Sequence, residues 1–295
     1  MPRILVYGSV NIDHVYHLDR LVQPGQTFFV DKYRRQAGGK GSNQAIAAAR
    51  AGASVAFAGL IGADGGFLRD LLRGEGVDVL NLVEIAEPTG HAIIQIDKSG
   101  ENAIIVYGGA NQCVTFDQIN FVLSQFQAGD WLIAQNEISA NVELLRWAKI
   151  RGLRLVVNPA PMDAIARTLP LELVDILIVN EHEGHDLTGQ TEPSAILAAL
   201  QVRCPQSRIV LTLGGDGVLA LADGETIVIP AEKVKPVDTV GAGDTFVGYL
   251  TAMLVAGRPF ADALKLANRA AGIAVTRPGA ADSIPRLDEV LGGSR

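Results

Sequence analysis

Short runs rich in Val, Ile and Leu alternate with segments of helical period along this 295-residue chain. The runs are Ile4 to Tyr7, Ser54 to Leu60, Asp130 to Ala134, Leu153 to Val157, Val174 to Val179 and Arg208 to Leu213. A strand that is apolar at nearly every position has both faces covered, and crossover helices supply that cover. The rhythm predicts an α/β sandwich on a mainly parallel sheet. Helix boundaries carry their own punctuation: Gly52 closes Gln44 to Ala51, a Thr115/Gln118 capping box opens Phe116 to Phe126, and Gly152 closes Val142 to Arg151. Beyond residue 216, Gly217 to Ala222 and Thr226 to Pro230 read as a hairpin turning at Asp223 and Gly224. Two helices follow, Gly241 to Ala256 and Pro259 to Val275.

The rhythm breaks twice. Residues 11–36 lack helical period, and His91 to Tyr107 reads as a hairpin turning at Lys98, Ser99 and Gly100. A small antiparallel sheet is expected to project from the main body. No Pro/Gly/Ser linker or internal repeat intervenes, so the sheet is expected to consist of insertions, at about 11–36 and 90–107, in one domain spanning 1–295.

Thirty-two acidic against 25 basic residues leave a net charge of −7 without long like-charge runs, which argues against nucleic acid or an anionic membrane as partner. Two cysteines, Cys113 and Cys204, cannot build a disulfide framework or a cysteine zinc cluster, and suit a reducing, cytoplasmic setting. The four apolar residues Ile4 to Tyr7 are too few for a signal-peptide core, and no apolar run reaches the roughly 18 residues of a membrane span.

The strongest chemical signal is Asp238-Thr-Val-Gly-Ala-Gly-Asp244-Thr-Phe246, a loop flowing into an amphipathic helix. Glycines at a helix start leave N–H groups unshielded at the positive end of the dipole, so Gly241, Ala242 and Gly243 make an anion hole. Asp244 beside it is placed to take a proton from a hydroxyl during phosphoryl transfer. Taken alone, the motif is as readily a tight turn followed by a first-turn acid. The second signal, Gly38-Gly39-Lys40-Gly41-Ser42-Asn43-Gln44, departs from a Walker loop because Gly41 follows Lys40. Gly39 permits close approach to a ligand, and Lys40 and Asn43 offer donors to hydroxyls, though such a cluster is more often only a turn.

Other candidates fall where strands end, the edge at which doubly wound sheets bind ligands. Asn11 and Asp13 follow the first strand, Glu137 follows Asp130 to Ala134, and Asn180 and Glu183 follow Val174 to Val179. Glu183 is suited to hold hydrated Mg²⁺ through water, and Asn180 equally to cap a helix. Thr212 to Gly217 is either a nucleotide-facing loop or a hairpin start. The five histidines show no metal spacing, and His182 and His185 read as a solvated helix face.

The two glycine motifs, about 195 residues apart with strands between them, resemble the signatures of the ribokinase-like (PfkB) carbohydrate kinase family, and the order of motifs matches over nearly the whole chain. The Gly38 to Ala45 segment is nearest to the pentose kinases, against the nucleoside and ketogluconate kinases. The resemblance implies a three-layer α/β/α sandwich with a mainly parallel sheet and a small β-sheet lid. The activity implied is ATP-dependent phosphorylation of a pentose primary hydroxyl, D-ribose to ribose 5-phosphate first, with another sugar or a nucleoside as alternative. By resemblance, Asp244 is the base, and Gly241 to Gly243 supply the hole. Asn11, Ile12, Asp13, Gly38, Gly39, Lys40, Gly41, Asn43 and Glu137 would line the sugar pocket. Asn180, Thr212, Leu213, Gly214, Gly215, Asp216, Gly217, Gly243 and Asn268 would border ATP, and Glu183 would organise Mg²⁺. Asp238, Val240, Ala274, Arg277, Gly279 and Ser283 would hold K⁺, chiefly through backbone oxygens. The family also implies a homodimer joined through the lids, whose apolar face, carrying Ile94 and Ile104, is expected to lie away from the sugar. Ser42 stands where alanine is common, and Asn268 where histidine often meets the adenine.

Two readings from other classes fit the motifs less well. A dinucleotide oxidoreductase would use Gly241 and Gly243 as a glycine fingerprint, but Phe246 stands at the third glycine and the motif lies late in the chain. A non-catalytic sugar sensor would have no use for Asp244 among its glycines.

Overall fold

The computed structural model describes residues 1–30 and 32–292. Asp31, inside the expected lid insertion, and residues 293–295, at the end of the expected domain, lie outside the described residues.

The chain opens with β1 (Ile4–Tyr7), β2 (Asn11–His17), β3 (Lys32–Gly38), α1 (Lys40–Arg50), β4 (Val55–Ile61), α2 (Gly66–Gly74) and β5 (Asp78–Glu84). It continues through β6 (Gly90–Ile96), β7 (Asn102–Tyr107), α3 (Phe116–Leu123), β8 (Trp131–Ala134), α4 (Asn141–Ile150) and β9 (Arg154–Val157). Next come β10 (Ile176–Asn180), α5 (Glu181–Thr188), α6 (Pro193–Arg203), β11 (Arg208–Thr212), β12 (Val218–Ala222) and β13 (Glu225–Ile229). The last helices are α7 (Ala242–Val255), α8 (Phe260–Ala274) and α9 (Leu287–Leu291).

Among the described residues nine strands form one sheet in the order β13-β12-β11-β10-β9-β8-β1-β4-β5. Strand alternation explains the apolar runs: Ile4 and Val6 face the layer of α1, α7 and α8, while Leu5 and Tyr7 face that of α3, α4 and α6. The three-layer sandwich is therefore the one expected. The hairpin after residue 216 extends this sheet, because β12 pairs antiparallel with β11 and β13 with β12. Three elements escaped the sequence reading. Strand β5 is an edge strand exposed at four of seven positions, so its apolar pattern is broken, and neither α2 nor α6 lies beside a glycine or capping box that was singled out.

The small sheet has the order β3-β2-β6-β7 and differs from expectation in two ways. It is not wholly antiparallel, since β2 and β6 run parallel. Both leave the same edge of the main sheet, after β1 and after β5, and point outward together. Its apolar residues also fall on both faces. The register aligns Val15, Ile94 and Ile104 on the face that carries Asp13, and His14, Arg35, Ile93 and Ile105 on the other. Ile94 and Ile104 thus share the face of Asp13, the one expected to meet the sugar, instead of lying away from it.

Candidate active site

Strand β1 lies between β4 and β8, and the chain turns opposite ways from β1 and from β8, which opens a crevice at the strand ends. Ser9 follows β1 and Glu137 follows β8, and the Ser9 hydroxyl donates to the Glu137 carboxylate across that crevice. The Lys40 backbone N–H donates to the same carboxylate at 3.0 Å, and the Gly41 N–H to Ser9 Oγ at 3.3 Å. The start of α1 is thereby fastened to both strands. Helix α1 begins at Lys40, four residues earlier than expected, because Gly39 takes the N-cap with φ 93°. Ser42 helps close this turn by donating to the Gly38 carbonyl at 2.6 Å.

Helices α1 and α7 pack closely because their facing residues are small. A Cβ on Gly248 would stand 2.5 Å from Ala47 Cβ. One turn earlier on each helix, this approach brings amide side chains to a carboxylate: Asn43 Nδ2 lies 3.0 Å from Asp244 Oδ2, and Gln44 Nε2 lies 3.0 Å from Asp244 Oδ1. Asp244 is buried at 7% exposure in the first turn of α7. Of the three amides expected to form the hole, that of Ala242 turns back to the Thr239 carbonyl at 3.3 Å, a tight-turn contact, which leaves Gly241 and Gly243 for a ligand. The helical ladder begins behind them, with Thr245 N–H to Gly241 C=O at 2.8 Å.

Asp244 and Lys40 border a cleft of about 210 Å³ together with Glu183, Asn158, Thr212 and Gly243. Asp244 foremost, then Glu137 and Glu183, hold the Lys40 ammonium charged above its ordinary range, against the opposing effect of burial. Burial raises the Glu183 carboxyl, while Asn180 N–H at 3.0 Å, Lys40 and Asn158 Nδ2 at 3.2 Å oppose the shift. Asn180 caps α5, accepting from Glu183 N–H at 2.8 Å, and also borders the cleft. Beyond Thr212, Leu213 N–H closes on Gly217 C=O at 2.8 Å, and Gly214, Gly215 and Asp216 are exposed. Asn268 lies outside the residues that line this cleft, its Nδ2 tied to the Pro230 carbonyl at 2.9 Å.

At the residues expected to line a sugar pocket, Asn111 Nδ2 donates to Asn11 Oδ1 at 2.7 Å, and Asn111 Oδ1 accepts from Val10 N–H at 3.1 Å. Asp13 is buried at 7% exposure, and its carboxyl is pushed up to about 7, chiefly by burial and then by Glu137 and Asp244. Burial likewise raises Glu137, with Lys40 and Ser9 opposing. Ile12 is a correction: its side chain is turned into the apolar core, as strand alternation with Asn11 and Asp13 requires, and is only 2% exposed. Asn43 Oδ1 and Gln135 Oε1 are buried without a hydrogen-bond partner among the described residues.

The residues expected to hold a monovalent cation are neighbours. Asp238 Oδ1 accepts from Val240 N–H at 3.0 Å and Oδ2 from Gly279 N–H at 2.9 Å, which joins the loop before α7 to the loop after α8. The Ser283 hydroxyl donates to Ala280 C=O at 2.8 Å, the Ala274 carbonyl accepts from Arg277 N–H at 3.0 Å, and the Arg277 guanidinium pairs with Glu289.

Ser9, Gln44, Asn111, Gln135, Asn158 and Thr239 were not singled out as site residues. Gln135 directly follows β8 and Asn158 directly follows β9, so the strand-end signal that found Glu137 and Asn180 pointed to them as well. Asn111 sits in a short turn with no such signal.

Residues 1–287 match the family model described as pfkB family carbohydrate kinase. The chain is 37% identical over 297 residues to a ribokinase of Haemophilus influenzae, covering 98% of this chain and 97% of that one. A solved ribokinase of Thermotoga maritima superposes with a TM-score of 0.89 at 32% identity, covering 99% of each chain. The structure of Arabidopsis thaliana ribokinase complexed with ribose and ATP superposes with a TM-score of 0.88 at 31% identity, covering 99% of this chain and 98% of the other.

Proposed function

From its membership of the pfkB family of carbohydrate kinases, to which the chain belongs, we propose that it transfers the γ-phosphoryl group of ATP to the primary hydroxyl of D-ribose, giving ribose 5-phosphate and ADP. The observation that carries this reading is the placing of Asp244, a buried carboxylate held by two amides at a helix start, beside Lys40 and the Gly241 and Gly243 N–H groups.

In the reaction Asp244 accepts the hydroxyl proton as the sugar oxygen bonds to the γ-phosphorus and the bond to the bridging oxygen of ADP breaks. The Gly241 and Gly243 amides stabilise charge on the transferred group, and the Lys40 ammonium offsets the acids around it. Asn11, Asp13, Asn43 and Glu137 take the sugar hydroxyls. The partnerless Asn43 Oδ1 suits a hydroxyl donor. ATP would lie along Thr212 to Gly217, with Asn180 near its phosphates. A Mg²⁺ ion bound with ATP keeps several waters, so a half-buried carboxylate at the cleft, Glu183, fits as its water-mediated holder. The Asp238 group, rich in backbone oxygens and with Asp238 bridging two loops, fits a K⁺ ion that sets the loop before the anion hole.

We read residues 1–295 as one kinase domain, cytoplasmic, and homodimeric through the lid. Among the described residues no helix is long and apolar enough to cross a membrane. An ADP-release assay over ribose, 2-deoxyribose, fructose and adenosine tests the reading. Ribose should give the highest kcat/KM, and 2-deoxyribose should lose at least about tenfold, because the groups built for the missing hydroxyl go unpaired. A preference for a hexose or nucleoside would move the assignment within the family, and no ADP release with any acceptor would overturn it.

A further inference from the structure

The amide that meets Asp244 Oδ1 belongs to a chain of side chains running back into the protein. Gln44 is fully buried, its Nε2 facing Asp244 Oδ1 at 3.0 Å and its Oε1 accepting from Gln135 Nε2 at 2.7 Å. The direction of this chain is fixed at one end. An ionised carboxylate only accepts, so Gln44 must present its NH₂ to Asp244, and its carbonyl must turn to Gln135. Gln135 is 2% exposed and follows β8 directly, so the chain ties the helix-borne acid to the rigid centre of the parallel sheet. Gly8, at the end of β1, makes the room: a Cβ there would stand 2.1 Å from Gln135 Oε1.

We propose that Gln44, backed by Gln135, is a positioning residue for Asp244. Asn43 holds the other carboxylate oxygen but keeps a partnerless Oδ1 that suits a sugar hydroxyl. Gln44 has no exposed surface, and both of its polar atoms are taken by protein side chains. With Oδ1 pinned to the sheet, rotation about the Asp244 side-chain torsions is blocked, and the acid keeps one orientation toward the cleft before the sugar arrives. Losing that pin permits a displacement of about 1 Å, which typically costs up to about a hundredfold in rate. The inference rests on Asp244 being the proton acceptor, and a structural readout separates the two.

The test compares Gln44→Leu, Gln135→Leu and the double variant by kcat, KM for ribose and for ATP, and melting temperature. Gln44→Leu strands the Gln135 NH₂ and should lower both Tm and kcat, kcat by about ten- to a hundredfold, with KM for ATP unchanged. The double variant replaces both partners with apolar groups and should recover much of the Tm while kcat stays at the Gln44→Leu level. If kcat returns together with Tm, Gln44 is merely structural and the proposal falls. Gln44→Glu is nearly isosteric and sets a second carboxylate against Asp244, so the acid limb of its kcat–pH profile should move to higher pH; an unmoved limb overturns the proposal. A crystal structure of Gln44→Leu, or of Gln44→Glu where the former does not fold, should show the Asp244 carboxylate rotated from its wild-type orientation. An unrotated carboxylate overturns the proposal whatever the activity, whereas a wild-type protein that releases no ADP overturns only the kinase reading.

Discussion

Gly38 and Asp13 lie so close that a Cβ built on Gly38 would stand 2.1 Å from Asp13 Oδ2. The pairing of β2 with β3 sets Gly38 opposite Asn11, the neighbour of Asp13 on the same face. Gly38 therefore leaves space for a buried carboxylate. Gly38→Ala should force Asp13 to another rotamer and raise KM for ribose by about tenfold or more, while KM for ATP stays within about twofold. Unchanged KM for ribose would mean that Asp13 does not contact the sugar.

Asp13 also sets a pH dependence. Its folded carboxyl is raised from 3.8 to about 7, so its contribution to folding is most favourable below pH 3.8 and is lost as pH rises through about 7. Asp13→Asn removes the charge, and its melting temperature should exceed that of wild type by more at about pH 8 than at about pH 4. Sugar binding has the opposite slope. A hydroxyl donating to Asp13 needs the ionised form, so the Kd for ribose should rise about tenfold per pH unit below about 7 and level off above it. Thermal melts of the two proteins check the first and calorimetric titrations of the unphosphorylated sugar across this range the second, and a flat Kd would remove Asp13 from the hydroxyl contacts.

Asp244→Asn keeps the shape of the side chain and removes its ability to accept the hydroxyl proton. Turnover should fall by about 10² to 10⁴, with KM for ribose changed far less. A variant with half the wild-type kcat would show that another group takes the proton.

Much of this site was legible because it lies at strand ends and helix starts, where residue type and position coincide. Asp244, Lys40, Glu183 and Glu137 all carried such signals. The contacts that orient them were not legible. Nothing in the spacing of Gln44 and Gln135 says that their amides meet, since that depends on how closely the start of α1 approaches the ends of β1 and β8 at Gly8. Strand β5 was missed for a related reason: at the sheet edge its side chains are half in water, and the apolar run that marks a central strand disappears. The faces of the lid followed from register, which the unusual parallel pairing of β2 with β6 sets.

The loop before α7 should make turnover depend on a monovalent cation. Asp238 joins that loop to Gly279, and a K⁺ ion among the nearby backbone oxygens would fix the Gly241 and Gly243 amides in the geometry of the hole. Replacing K⁺ by a bulky organic cation at matched ionic strength should lower kcat severalfold, with little change in KM for ribose. Equal rates in both salts would exclude the site.

The lid supplies the last expectation. Strand β7 is an edge strand with Ile104 at 51% exposure, Ile105 at 63% and Val106 at 59%, so it shows apolar side chains on both of its faces. Four strands standing away from the main body cannot cover these residues themselves, and contiguous exposed apolar surface of this kind marks an interface. The matching surface of a second copy would cover it by two-fold symmetry, and the face shared with Asp13 would place that contact at the mouth of the proposed sugar pocket. Light scattering at micromolar concentration should give twice the monomer mass. Ile104→Asp with Ile105→Asp, one charge on each face of an exposed strand, should give a monomer with unchanged main-sheet stability and a raised KM for ribose. A wild-type monomer, or a double variant that stays dimeric, would place the lid's apolar surface in some other role.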